Sequence, residues 1–173
     1  MRWLVQRQAR FHLANWRDVL LRRRLYRDMH PLWLALVREF PEICLNPPNH
    51  PERSRTFRPT GAYRRLYRRV IEIHDGVRLL TDYMNPAASQ AAHDRAMAAG
   101  ATSHEARTTA YAAAIALALH DRRAGMARGD PPAPMRKRHS ETVEVNIDVE
   151  PDAKWLASVS LAYRDFPDRR HSP

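Results

Sequence analysis

Glu72, His74 and Asp75 stand within four residues of one another, among Arg65, Arg68, Arg69 and Arg78. Two carboxylates and an imidazole this close could serve as a general acid and base, or ligate a metal. Helix geometry argues against both. At 100° per residue, Glu72 and Asp75 fall on the arginine side of a helix, and His74 falls on the apolar side beside Tyr67 and Val70. Groups that point apart cannot share one substrate atom. Arg68 and Arg69 precede Glu72 by four and three residues, the spacing of surface ion pairs. Arg65, Arg68, Arg69, Glu72 and Asp75 are therefore expected to form a solvated face that could receive a protein partner.

The remaining chemistry is sparse. The nine histidines, at 12, 30, 50, 74, 93, 104, 120, 139 and 171, form no i,i+4 pair and have no cysteine cluster beside them, so a zinc site is not expected. No Gly-rich phosphate loop, nucleophile elbow or Walker pattern occurs, and five glycines leave little from which to build one. Cys44 is the sole cysteine, which excludes an internal disulfide and points to a reducing compartment. The expectation is no catalytic residue, no metal, no cofactor and no enzyme.

Charge is the stronger signal. The net charge is +10, and arginine supplies nearly all the positive charge, Lys137 and Lys154 being the two lysines. The excess is +7 in residues 1–60, +2 in 61–85, +1 in 86–130 and zero in 131–173. Guanidinium favours planar anions such as phosphate. Lipid headgroups or nucleic acid are thus the natural partners of the N-terminal third. Arg136, Lys137, Arg138 and His139 add a short basic run. Residues 87–123 have the outline of a helix-turn-helix, but only Arg107 is placed to reach a groove.

The elements follow from periodicity. Residues 1–29 read as a basic helix with Arg7, Arg10, Arg17, Arg22, Arg23, Arg24 and Arg27 interleaved with Trp3, Phe11 and Trp16. Trp with Arg suits a lipid interface, and these arginines with Trp3 and Trp16 are the candidates for an anionic membrane surface. The stripe Leu21, Leu25, Met29, Leu32, Leu36 continues the helix, but Pro31 removes an amide donor and predicts a break near Met29–His30. The second helix should end near Phe40–Pro41. Prolines fill 41–60, where Ile43–Leu45 could form a short apolar strand or hook. Tyr63, Leu66, Tyr67, Val70, Ile73, Val77 and Leu80 make an apolar face for a helix over 61–83, ended by Asn85–Pro86. Gly76 sits unfavourably inside it.

A short alanine-rich helix should span 87–99. Thr102 and Glu105 form a capping box that opens a helix running to about Arg123, with Gly125 beyond its end. Its inward face is Tyr111, Ala114, Ile115, Ala118 and Leu119. A Pro-rich basic linker follows. Val143, Val145, Ile147 and Val149 then alternate with polar residues, the pattern of a strand. Asp152 is placed to cap a last helix whose face is Trp155, Val159, Ala162 and Phe166.

The expected fold is mainly α, a compact bundle of about five to six helices, with at most one short strand or extended segment near 143–149. The expected divisions are a basic juxtamembrane-like helix at 1–24, a helical core at 25–126, a linker at 127–142, and an extended segment with the C-terminal helix at 143–168. No apolar run reaches the roughly 20 residues needed to span a membrane; the longest is Ala110 to Leu119. Arginines at 2, 7, 10 and 17 break up any signal-peptide core.

Several blocks taken in order carry a resemblance. They are Tyr26 with Pro31-Leu32-Trp33, Ala35-Leu36 and Phe40-Pro41-x-Ile43; Tyr67 to Ile73 with Asp75-Gly76; Glu105-Ala106; and Trp155-Leu156 with Val159. Over roughly residues 20–166 the chain resembles an actinobacterial domain of unknown function. That domain usually forms the C-terminal cytosolic part of multi-pass membrane proteins, some labelled transporters. Residues 1–20 then look like the stretch after a last spanning helix, so the chain is either a stand-alone relative or starts inside a longer reading frame. The resemblance implies a cytoplasmic location, peripheral to the inner face of the cell membrane, and a regulatory or scaffolding role; it brings no catalytic residues. A protein partner or an anionic membrane surface is expected, with a nucleic-acid-binding regulator as the alternative.

Overall fold

Pro31 divides the N-terminal helical stretch in two. In the computed structural model, which describes residues 16–44, 61–126 and 149–166, a helix over 16–28 (α1) meets a turn at Met29, and α2 (His30–Glu39) begins with the proline in its first turn. Pro31 has no N–H to offer, and the next donor, the Leu32 amide, leaves the helix and donates to Ser160 Oγ at 3.2 Å. The expected break at Met29–His30 and the end at Phe40–Pro41 are both as observed. Pro41–Ile43 forms a single 3-10 turn that turns Ile43 and Cys44 inward, a hook and not a strand.

α3 (Ala62–Leu79) stops earlier than the periodicity implies. A 3-10 turn at Thr81–Tyr83 follows, and Asn85–Pro86 opens the next helix instead of closing this one. The Asn85 side chain accepts from the Ala88 amide and Pro86 occupies the first turn of α4 (Pro86–Ala98). α5 (Ser103–Arg123) starts with the expected reciprocal box between Thr102 and Glu105 and ends before Gly125, whose φ of 68° suits glycine.

α6 (Glu150–Tyr163) takes its N-cap from Val149, without a side-chain bond. Val149 is right-handed helical and buried, so the expected extended segment does not reach it; residues 143–148 lie outside the described residues. Asp152 is not the cap either. It sits in the first turn and pairs with His74 Nε2 at 2.9 Å. That contact leaves His74 half-exposed, not on the apolar face.

Six helices therefore make up the described fold, and no strand occurs among the described residues. α5 packs on α4 and α6, and α2 is held between α3 and α6. The core joins Leu32, Leu36, Leu66, Ile73, Leu80, Ile115, Leu119 and Leu156. Buried Ala112, Ala114 and Ala118 let the neighbours of α5 approach closely, while Tyr111 and Trp155 meet with centroids 4.7 Å apart. Gly76 serves the same purpose in α3. A β-carbon there would lie 3.0 Å from both Leu36 Cβ and Ile43 Cδ1.

Candidate functional site

The inward face of α3 runs through Ala62, Leu66, Arg69, Ile73 and Gly76, and is continued by Leu80 just past its end. Arg69 thus sits at its centre, 2 % exposed, and Glu72, 5 % exposed, sits at its edge. The expectation that both belong to a solvated ion-pair face is overturned. The apolar set of α3 is wider than one face, and packing selects the side that carries Arg69. Tyr63 and Tyr67 are left outside.

α1 and α2 supply the surroundings of Arg69. Its guanidinium carbon lies 3.7 Å from the centroid of the Tyr26 ring and 4.1 Å from that of Trp33. Nη1 donates to the Tyr26 carbonyl at 3.2 Å, and Nη2 donates to the Tyr26 hydroxyl at 2.9 Å. His30 Nδ1 is 3.3 Å from Nη1. A guanidinium can only donate, so this ring nitrogen accepts and the ring proton resides on Nε2. Trp33 Nε1 donates to Glu72 Oε2 at 2.7 Å, and His30 stacks on Trp33 at 5.6 Å.

Burial pulls the Arg69 pKa down to about 10, while the Tyr26 and Glu72 sides of the cluster hold it up. It therefore stays protonated at neutral pH. A cation, a carboxylate, an imidazole and two aromatic rings thus share one interior, closed by α1, α2 and α3. Its groups bond one another and face the core, so the cluster ties three helices together. A charge this deeply buried needs such bonds on every side. A second tie lies at Arg122, which stacks on Phe40 at 4.4 Å and bonds Glu39 at 3.0 Å, with Arg123 on the same carboxylate at 3.3 Å.

The surface arginines divide differently from the expectation. Trp3, Arg7 and Arg10 lie outside the described residues. On α1 the inward residues are Leu21, Leu25 and Tyr26, continued by Met29 in the turn that follows. Opposite stand Trp16, 61 % exposed, Leu20, Arg23 and Arg27, flanked on one side by Arg17 and Arg24, all exposed. Asp28 pairs with Arg24 at 3.5 Å. Arg22 does not belong to this face. It bonds Glu150 at 3.4 Å and lies 5.7 Å over the Tyr63 ring, joining α1, α3 and α6.

Of the expected partner face, Arg65 and Arg68 are partly exposed and Asp75 is exposed. With Arg64 and Gly61, Arg65 and Arg68 line a hollow of about 170 Å³ at the start of α3. Tyr63 and Tyr67 stack beside it, centroids 6.5 Å apart. Among the described residues, no group of three or more His, Cys, Asp or Glu could hold a metal ion, and no helix is long and apolar enough to cross a membrane.

The burial of Arg69 has a sequence signal that charge pairing obscures: Leu66 and Ile73 flank it at i−3 and i+4, on the same face. The aromatic pair Tyr26 and Trp33 has no local signal for receiving it. No curated protein and no solved structure matches the chain. The model of the Family of unknown function (DUF6545) matches residues 15–165, which takes in all six helices from α1 to α6, and the chain belongs to that family.

Proposed function

We propose that this domain is a non-catalytic helical docking module, regulatory or scaffolding in role, that rests on an anionic membrane surface at the cytosolic face through the outward side of α1. One observation carries the reading. Trp16 and Leu20 stand exposed among Arg17, Arg23, Arg24 and Arg27, opposite the side of α1 that is packed into the core. An indole and a leucyl side chain enter the headgroup boundary, and guanidinium forks reach the phosphates around them. Each arginine near an anionic leaflet contributes about 1 kcal/mol, so four give reversible binding that salt weakens. α1 is held by its buried residues and by Arg22, none of them on the outward side, so that side can meet lipid without unfolding anything.

The charge gradient along the chain supports the same orientation, since the arginine excess is concentrated in residues 1–60 and the C-terminal part is neutral. A place at the C-terminal cytosolic end of multi-pass membrane proteins, in actinobacteria, would set α1 next to the bilayer, as the resemblance implies. The closed Arg69 cluster supports a structural use for the most enzyme-like residues. Co-sedimentation with vesicles tests the reading: phosphatidylserine vesicles should retain the protein and phosphatidylcholine vesicles should not. Equal retention by both, or by neither, contradicts it.

A further inference from the structure

α4 is fastened to the rest of the described fold by little more than alanine. Ala92 is its one buried residue, and Met97, its only large apolar side chain, is exposed. The side turned to α5 carries Ala88, Ser89, Ala92, His93 and Ala96. Side chains this small let the two helices approach but withdraw little apolar surface from water. The polar side chains of α4 bond mostly within α4. Gln90 donates to Asp94 at 2.8 Å, His93 lies 3.4 Å from the same carboxylate, and Arg95 donates to the Ala91 carbonyl at 3.1 Å. Among the described residues, the one side-chain hydrogen bond from α4 to another helix runs from Ser89 Oγ to the Ala110 carbonyl at 3.3 Å. The two ends, by contrast, are pinned. Tyr83 accepts from Arg122 Nη1 at 3.4 Å just before Asn85, and the Thr102–Glu105 box fixes the start of α5 just after Gly100.

We infer that α4 is a hinged cover that lifts off α5 as one unit, between Asn85 and Gly100, while the other helices stay folded. Local opening is drawn from segments with few buried apolar contacts, and α4 is that segment here. The core survives its departure, because Leu32, Leu36, Leu66, Ile73, Ile115, Leu119 and Leu156 belong to other helices. Thirteen residues are too few to hold a helix in water alone, so lifting and unwinding coincide and the α4 amides become exchangeable. What opens is the strip of α5 around Ala106 and Ala110, both buried and one turn apart. Gly100 is the joint. Its φ of 87° is needed only in the closed state, and a β-carbon there would meet nothing within 4 Å. Alanine at this position therefore strains the closed backbone without a clash and leaves the open one relaxed.

Hydrogen exchange of the native full chain tests this. Amides of residues 90–98 should share one protection factor, roughly a hundredfold or more below that of residues 115–119 in α5, and with little dependence on denaturant. Ile73→Val, a mild core change on α3, should lower protection in α5 several-fold and leave that of α4 unchanged. Gly100→Ala should lower protection in α4 roughly tenfold, and Ser89→Ala should lower it several-fold. Equal protection of α4 and α5, with both falling in Ile73→Val, would mean that α4 opens only when the whole domain unfolds and would overturn the inference. Protection that climbs steadily from one end of α4 would mean fraying and would overturn it as well. So would protection of α4 that neither Gly100→Ala nor Ser89→Ala reduces.

Discussion

Arg69 holds Tyr26 twice over, lying 3.7 Å above its ring and donating to its hydroxyl at 2.9 Å. The same guanidinium reaches the Tyr26 carbonyl and faces the Trp33 ring at 4.1 Å. One planar group thus fixes the end of α1, the start of α2 and the middle of α3. Because the contact depends on a flat fork, lysine should fail in its place although it keeps the charge. We expect Arg69→Lys to cost about 2 kcal/mol, in the range of hydrogen bonds to charged groups, read as a lower urea midpoint at unchanged slope. An unchanged midpoint would mean that the cation alone matters.

Much of this fold is legible in local signals. Pro31, the Thr102–Glu105 box and Gly125 act on the few residues around them, so α2 and α5 begin and end where the sequence implies. Asn85–Pro86 carries two meanings, stop and start, and only the 3-10 turn at Thr81–Tyr83 shows which applies here. Local signals point Arg69 and Glu72 the wrong way. Charge pairing with neighbours four residues away points them to solvent, whereas rings from α1 and α2, some forty residues distant in the chain, receive them inside. Trp16, Arg17, Arg23 and Arg27 of the candidate surface were legible, and Arg22 was not, because its partners Glu150 and Tyr63 lie on other helices.

Gly76 offers a test of how tightly α3 meets α2. In an exposed helix, alanine is favoured over glycine by about 1 kcal/mol. Here the added carbon would stand 3.0 Å from Leu36 Cβ, which is fixed to the α2 backbone and cannot turn away. Overpacking costs about 1–3 kcal/mol and should win. Gly76→Ala is expected to lower the melting temperature, and Ile43→Val in the same chain should recover only part of the loss, since it relieves the Ile43 contact and leaves Leu36. A variant more stable than the parent would show that the helices can separate freely.

The capping box at α5 predicts a pH effect. Hydrogen bonds from the Thr102 amide and hydroxyl hold the Glu105 carboxyl below its ordinary range. A depressed folded-state pKa adds stability above the unfolded-state value, and that stability fades as pH falls through the folded-state value. The parent should therefore melt above Glu105→Gln at neutral pH, and the gap should close on acidification below the usual carboxylate range. A gap that stays constant from neutral to strongly acidic pH would refute the assignment.

The most direct test of the membrane reading is vesicle binding by the joint Arg23→Glu and Arg27→Glu variant. Both residues are exposed on the outward side of α1 and away from every core contact, so folding should be retained, as its melting curve will report. The parent should bind phosphatidylserine vesicles with an affinity that falls as salt rises, and the reversed variant should lose most of that binding at every salt concentration. Undiminished binding by a folded reversed variant would contradict the account.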